Sequence, residues 1–163
     1  MAMPAAPVRF RRAGYRAAHA LMRSYWRVVR PHTRGVKCVV RNGNAVLLVR
    51  HAYGDRRRWE LPGGGIKRGE EPRATAAREA REELGIDLAE WRALGSVEAR
   101  GYGKRTTLEC FEGRPPARHI TIDEGEIEEA RWFELAELPA AIGTDAGVVL
   151  DRLLEPDVRP RPD

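Results

Sequence analysis

Three carboxylates crowd one short stretch of this sequence: Glu79, Glu82 and Glu83. On a helix with Glu79 set at 0°, Glu83 falls at about 40° and Glu82 at about 300°, so all three share an arc of roughly 100°. Like charges at this spacing destabilise a helix by a few tenths of a kcal/mol, and no lysine lies in the arc to relieve them. Full solvation or a bound divalent cation resolves the repulsion, and an isolated cluster of this kind is more often a solvated face. The preceding residues shift that balance. Gly63, Gly64 and Gly65 remove side chains from a loop that feeds the same helix, so its backbone can approach phosphate or a metal closely. Arg78, at about 260°, is placed to pair with Glu82 or to brace the loop. Carboxylates on a hard cation that keeps its waters suit Mg²⁺ or Mn²⁺. The chemistry this fits is metal-assisted attack of water on phosphorus.

Those residues need a frame. The pattern predicts a helix from about Pro72 to Leu84, stopped at Gly85. Ahead of it, residues 35–40 and 45–49 read as strands joined by a tight turn at Asn42-Gly43-Asn44. Residues 59–61 read as a short strand, and 94–99, 106–111 and 130–133 as further strands. Residues 140–154 suit a closing helix. Mixed strands around one central helix predict an α/β layered domain.

At 163 residues, 42% of them hydrophobic and 33% charged, the chain can form one such domain with short appendages. No apolar run approaches the ~20 residues of a membrane-spanning helix. The net charge of +5 is unevenly laid out. Residues 1–54 carry eleven basic side chains and no acid, and the remainder holds 18 basic against all 24 acidic side chains. We read residues 1–34 as a basic arm, 35–155 as the domain and 156–163 as a disordered tail. Within the arm, residues 11–30 form an amphipathic helix, with Arg12, Arg16, His19, Arg23, Arg27 and Arg30 on one side and Ala18, Leu21, Met22, Tyr25, Val28 and Val29 on the other. The plain expectation is that the apolar side docks on the domain. The sharper one is binding of RNA or an anionic membrane surface through the basic side. Cys38 and Cys110 lack any metal-binding spacing, and no secretory signal opens the chain, which predicts buried thiols in a cytoplasmic protein.

Residues 64–86 resemble the signature of the Nudix hydrolases, G-x5-E-x7-R-E-U-x-E-E-x-G-U, with U a bulky aliphatic. Here it reads Gly64, Glu70, Arg78-Glu79-Ala80, Glu82-Glu83 and Gly85-Ile86 without a gap. Ala80, smaller than the usual aliphatic, is the one soft departure. Leu61-Pro62-Gly63, Trp132-Phe133 and Glu137-Leu138-Pro139 extend the likeness over about residues 35–155. The resemblance implies an α/β/α sandwich with a central mixed sheet and a loop–helix–loop catalytic motif. It implies hydrolysis of a nucleoside diphosphate linked to another moiety, with Mg²⁺ or Mn²⁺. Carried over by position, Glu79, Glu82, Glu83 and the Gly63 carbonyl become metal ligands. Gly64, Glu70, Arg78 and Gly85 become supporting residues. The acidic run offers Glu124, Glu126 and Glu128 as a further ligand or base, with Glu126 favoured. Glu79, Glu83 or Glu126 is then the general base.

Substrate markers outside this segment are sparse. The proline that follows the box in many ADP-ribose hydrolases is absent, and Tyr102 reads as a loop aromatic. Around a nucleotide, Tyr53, Trp59 or Tyr102 could stack on a base and Arg50 could hold phosphate. An RNA 5′-end pyrophosphohydrolase and a non-hydrolytic nucleotide-binding module are the alternatives.

Overall fold

The computed structural model describes residues 8–101 and 103–154, with side chains through residue 151. Tyr102 and the tail at 156–163 lie outside the described residues. In chain order the elements are α1 (Val8–Val29), β1 (His32–Asn42), β2 (Ala45–His51), α2 (Pro72–Leu84), β3 (Ala89–Gly101), β4 (Lys104–Arg114), β5 (Ile127–Glu134) and α3 (Thr144–Leu154). The sheet order is β3-β4-β1-β2-β5, parallel between β1 and β4 and antiparallel elsewhere. Gly43, with φ 62°, closes the tight turn that pairs Arg41 with Val46 and Asn42 with Ala45. The expected mixed-sheet α/β fold is present.

Central strands buried on both faces explain the near-continuous apolar runs. Side chains alternate: Val36, Cys38 and Val40 of β1 and Leu47 and Val49 of β2 pack toward Ala76, Ala80 and Leu84 of α2. Val39, Val46 and Leu48 pack the other way, toward Ala146, Val149 and Leu150 of α3. Both cysteines are buried thiols. Among the described residues, no helix is long and apolar enough to cross a membrane.

Several strands outrun their apolar cores. β3 and β4 continue through polar pairs such as Glu98–Thr107 and Arg100–Arg105, because backbone pairing does not need apolar side chains. The closing helix starts only at Thr144, since Ile142 is taken up in a bridge with Trp59.

α1 reverses the expectation for the arm. Its basic and aromatic side faces the domain and its apolar side faces solvent. One Nη of Arg11 donates to both carboxylate oxygens of Asp123 at 2.7 and 2.6 Å. Arg12 donates to the Glu124 carbonyl at 2.8 Å and Arg16 to the Ala52 carbonyl at 3.0 Å. Tyr15 stacks on Tyr53, and Lys104 lies 3.8 Å over the Trp26 ring. Phe10, Leu21, Tyr25, Val28 and Val29 are exposed, Val28 at 83%. The physical reason is charge: the rim that α1 meets carries Asp123 and outward-facing carbonyls, which arginines satisfy and leucines do not.

Candidate active site

The glycine loop is held in a cleft where β1 and β2 part. The backbone N–H of Val49 donates to the Glu60 carbonyl and the Glu60 N–H to that of Val49, at 2.9 and 2.8 Å. Cys38 and Val36 of β1 then donate to the carbonyls of Pro62 and Gly64, at 2.8 and 2.9 Å. The loop is thus pinned from both strands. At Gly63, with φ 144°, an added Cβ would stand 2.2 Å from the Val36 carbonyl oxygen, so only glycine fits. At Gly64 a Cβ would meet the Glu79 carboxylate at 2.5 Å. Its absence lets that carboxylate lie against the loop.

α2 begins with Pro72 in its first turn and ends at Gly85 in the left-handed conformation, φ 64°. Ala76, Ala80 and Leu84 are fully buried, and this stripe turns Glu79 and Glu83 into the seam between helix and loop. The small Ala80 fits that packed interface. Arg78 ties the acidic groups together. Its Nε donates to Glu70 at 2.8 Å, its Nη1 to Glu79 at 2.7 Å and to Glu82 at 3.0 Å, and its Nη2 to the Gly65 carbonyl at 3.3 Å. The Arg78 hydrogen bond holds the Glu70 carboxyl down at about 2. Glu82 points outward at 55% side-chain exposure.

Glu83 is the most confined of the acids, at 1% exposure. One carboxylate oxygen accepts from the Gly63 N–H at 3.0 Å, and the other is buried with no partner. Burial, then the charges of Glu126 and Glu79, push its pKa well up. Glu79 is raised chiefly by burial, against the pull of Arg78. Glu126 reaches the same place from a distant segment. The Thr121 and Asp123 N–H groups donate to the carbonyls of Leu84 and Glu83 at the end of α2, at 2.9 and 3.0 Å. Glu126 accepts a 2.9 Å hydrogen bond from the Tyr53 hydroxyl and is also raised by burial. Glu124 is exposed and Glu128 pairs with Arg56, so of the acidic run only Glu126 enters the cluster.

Two residues proposed for substrate lie elsewhere. Trp59 is 8% exposed and packs edge-to-face on Phe133, in the core beneath α3. Arg50 pairs with Glu129 and sits over Trp59, on the strand face away from the acids. Strand alternation explains both. Tyr53, by contrast, lines the cleft, although its hydroxyl is committed to Glu126.

Sequence reasoning missed His51 and Lys37. His51, one residue past Arg50, turns to the opposite face. Donor atoms of His51, Glu83 and Glu126 all lie within 4.8 Å of one another. Burial, with Lys37 and His19 nearby, lowers the His51 pKa to about 3, so its ring is neutral. Period-2 alternation beside the acidic cluster was the one available signal. Lys37 donates to the Leu61 carbonyl at 3.0 Å and lines the cleft. That cleft, about 680 Å³, runs past Gly63, Gly64 and Gly65, with His19, Met22 and Trp26 of α1 as one wall.

A buried carboxylate oxygen without a partner, beside two further acids whose pKa burial raises, is a set of oxygen donors that the protein's own groups satisfy only in part. Oxygen donors of this kind fit a divalent cation.

The NUDIX domain family model matches residues 31–153, three quarters of the chain, and the chain belongs to the Nudix family. Two curated relatives come from Mycobacterium tuberculosis. An ADP-ribose pyrophosphatase is 37% identical over 106 residues, covering 59% of this chain and 49% of its own. The NAD-capped RNA hydrolase NudC is 33% identical over 109 residues, covering 66% of this chain and 34% of its own. The chain thus spans half or less of the length of these relatives. A MutT NUDIX hydrolase from Burkholderia pseudomallei superposes with a TM-score of 0.71 at 21% identity, over 76% of this chain and 98% of that one. A UDP-X diphosphatase superposes with a TM-score of 0.61 at 19% identity, over 84% and 70%. At these identities the two structures speak for the fold.

Proposed function

We propose that the chain hydrolyses a phosphoanhydride bond of a nucleoside diphosphate linked to another moiety. The observation that carries this reading is the buried, unpartnered Glu83 oxygen beside Glu126 and Glu79, with the other Glu83 oxygen held by the Gly63 N–H of the glycine loop. Glu79, Glu82, Glu83 and the Gly63 carbonyl are the residues that would hold Mg²⁺ or Mn²⁺. When bound, such a cation neutralises phosphate charge and lowers the pKa of water. Arg78 orients Glu79 and Glu82 and braces the loop through Gly65. Lys37 offers a cation at the cleft wall. Water adds to phosphorus, the bridging P–O bond breaks, and the water proton passes to a carboxylate. Glu79, Glu83 and Glu126 are the candidates for that acceptor, and the Tyr53 hydroxyl fixes Glu126 in position. The buried, reduced thiols suit a cytoplasmic enzyme.

The test is a panel of ADP-ribose, NAD(H), nucleotide sugars, dinucleoside polyphosphates and nucleoside triphosphates with Mg²⁺ or Mn²⁺, scored by product chromatography. Turnover of at least one, abolished by Glu83→Gln, is expected. Absence of turnover on every member, with metal binding unaffected by Glu83→Gln, rejects the reading.

A second reading, a 5′-capped RNA as substrate, draws on one observation besides the NudC similarity. Arg27, Arg30, Arg100, Lys104 and Arg105 line an adjoining cleft of about 590 Å³ with no carboxylate among its described lining residues. Such a rim suits a phosphate backbone. The double substitution Arg30→Ala and Arg105→Ala should weaken RNA binding and reduce its salt slope by about 2. An unchanged slope removes this reading and leaves the small-molecule one intact.

A further inference from the structure

Among the described residues, three buried side-chain polar atoms lack a hydrogen-bond partner: Arg50 Nε, His51 Nδ1 and Glu83 Oε1. Two of the three belong to residues of a single cluster. One donor atom each from His51, Glu83 and Glu126 fall within 4.8 Å of one another, a spacing that one ion bridges. Orphaned buried polar atoms are rare in folded proteins, and two in one cluster call for a shared partner.

The surroundings of His51 are built rather than incidental. Strand alternation returns His51 to the α2 side that Val49 also faces, and the register between β2 and β5 slips by one residue there, His51 pairing with Ile127. Tyr53 packs beside the ring, centroids 5.1 Å apart, and the Tyr53 hydroxyl holds Glu126. Glu83 is fixed by the Gly63 N–H through its other oxygen. Tyr53 thus positions two of the donors and the Gly63 N–H the third, and such supporting contacts are how ligands are oriented in metal sites.

We propose that His51 is a nitrogen ligand to a divalent cation held together with Glu83 and Glu126. The inference rests on the metal-dependent reading above and adds a donor that the glutamate motif does not contain. Its consequence is selectivity. Mg²⁺ favours an all-oxygen shell and dehydrates reluctantly, whereas imidazole favours Mn²⁺ and the later divalent ions. A mixed nitrogen–oxygen set biases this centre toward Mn²⁺.

The test uses the full chain loaded with Mn²⁺ and pulsed EPR, which reports nitrogen bound directly to the ion. Wild type should show ¹⁴N modulation, and His51→Gln should lose it. Titration of His51→Gln should show Mn²⁺ affinity reduced roughly tenfold or more, with Mg²⁺ affinity changed much less. His51→Asn provides a second variant, and circular dichroism confirms that both are folded. The wild-type spectrum decides the matter even if neither variant folds. Mn²⁺ bound without ¹⁴N modulation, modulation that persists in His51→Gln, or unaltered Mn²⁺ affinity in that variant overturns the proposal. In those cases hydrolysis by the wild type still supports the broader functional reading. Failure of the wild type to bind Mn²⁺ at all defeats both.

Discussion

α1 and α2 are both amphipathic helices, yet they meet the sheet by opposite rules. α2 buries an apolar stripe of Ala76, Ala80 and Leu84 and brings its acids to the seam. α1 buries no residue fully, turns Arg11, Arg12, Tyr15 and Arg16 inward and leaves Leu21, Tyr25 and Val28 in solvent. A helical wheel says which faces a helix has, and the chemistry of the receiving surface says which one docks. Behind α2 lie Val36, Cys38, Val40 and Leu47. Behind α1 lie Asp123 and the carbonyls of Glu124 and Ala52.

The sharpest way to break this contrast is to strike the acids that α2 presents. Glu83→Gln should lower kcat by about 10²–10⁴-fold, measured by product chromatography on whichever substrate the panel identifies. An effect confined to KM would place Glu83 outside the chemistry. Arg78→Lys comes next. A lysine is a point charge and cannot span Glu70, Glu79, Glu82 and the Gly65 carbonyl as the guanidinium does. Metal affinity or activity should fall by about 10–100-fold, and full activity in Arg78→Lys would show that charge alone suffices.

The acids also carry a stability cost with a definite sign. Glu79, Glu83 and Glu126 are all raised above the ordinary value of 4.5 in the folded protein. Their contribution is therefore complete below that value and is lost as pH rises through the raised values. Glu70, held down at about 2 by Arg78, acts in the opposite direction and outside this window. Metal-free protein should accordingly melt lower at pH 8 than at pH 5.5, followed by calorimetry. At pH 8, metal-free Glu83→Gln should melt about 2–4 °C above metal-free wild type, equivalent to about 1 kcal/mol. A lower melting temperature for Glu83→Gln would mean the carboxylate is already compensated by protein groups.

The smallest effects belong to α1, where they also distinguish its two faces. Arg11→Ala, which removes a half-buried ion pair with Asp123, should cost about 1 kcal/mol. Leu21→Gln, on the exposed side, should stay within about 0.5 kcal/mol. Urea denaturation of the two variants checks the pair, and the reverse order would restore the apolar-side docking expected from sequence.

Much of this site was legible because it is local. The loop, Glu70, Arg78, the three glutamates of α2 and Gly85 lie within one loop–helix–loop whose spacing fixes their relative positions. Glu126 was legible only as one acid among several, and its selection depends on Thr121 and Asp123 binding the end of α2. Trp59 and Arg50 were misplaced because an aromatic and a cation near a catalytic loop look available until strand alternation assigns them to the α3 side. His51 was missed for the complementary reason. A lone histidine at the end of a strand carries no pattern of its own, and alternation marks it as facing the acids only once the distant Glu126 is known to lie there.

On this proposal the α2 acids and Glu126 together form one cation-binding centre. The most direct measurement is the melting temperature of wild type and Glu83→Gln at pH 7.5, with and without Mn²⁺. At about a hundredfold excess over Kd, wild type should gain about 2.7 kcal/mol, or roughly 5–10 °C, and Glu83→Gln little. Equal gains in the two proteins would contradict the account.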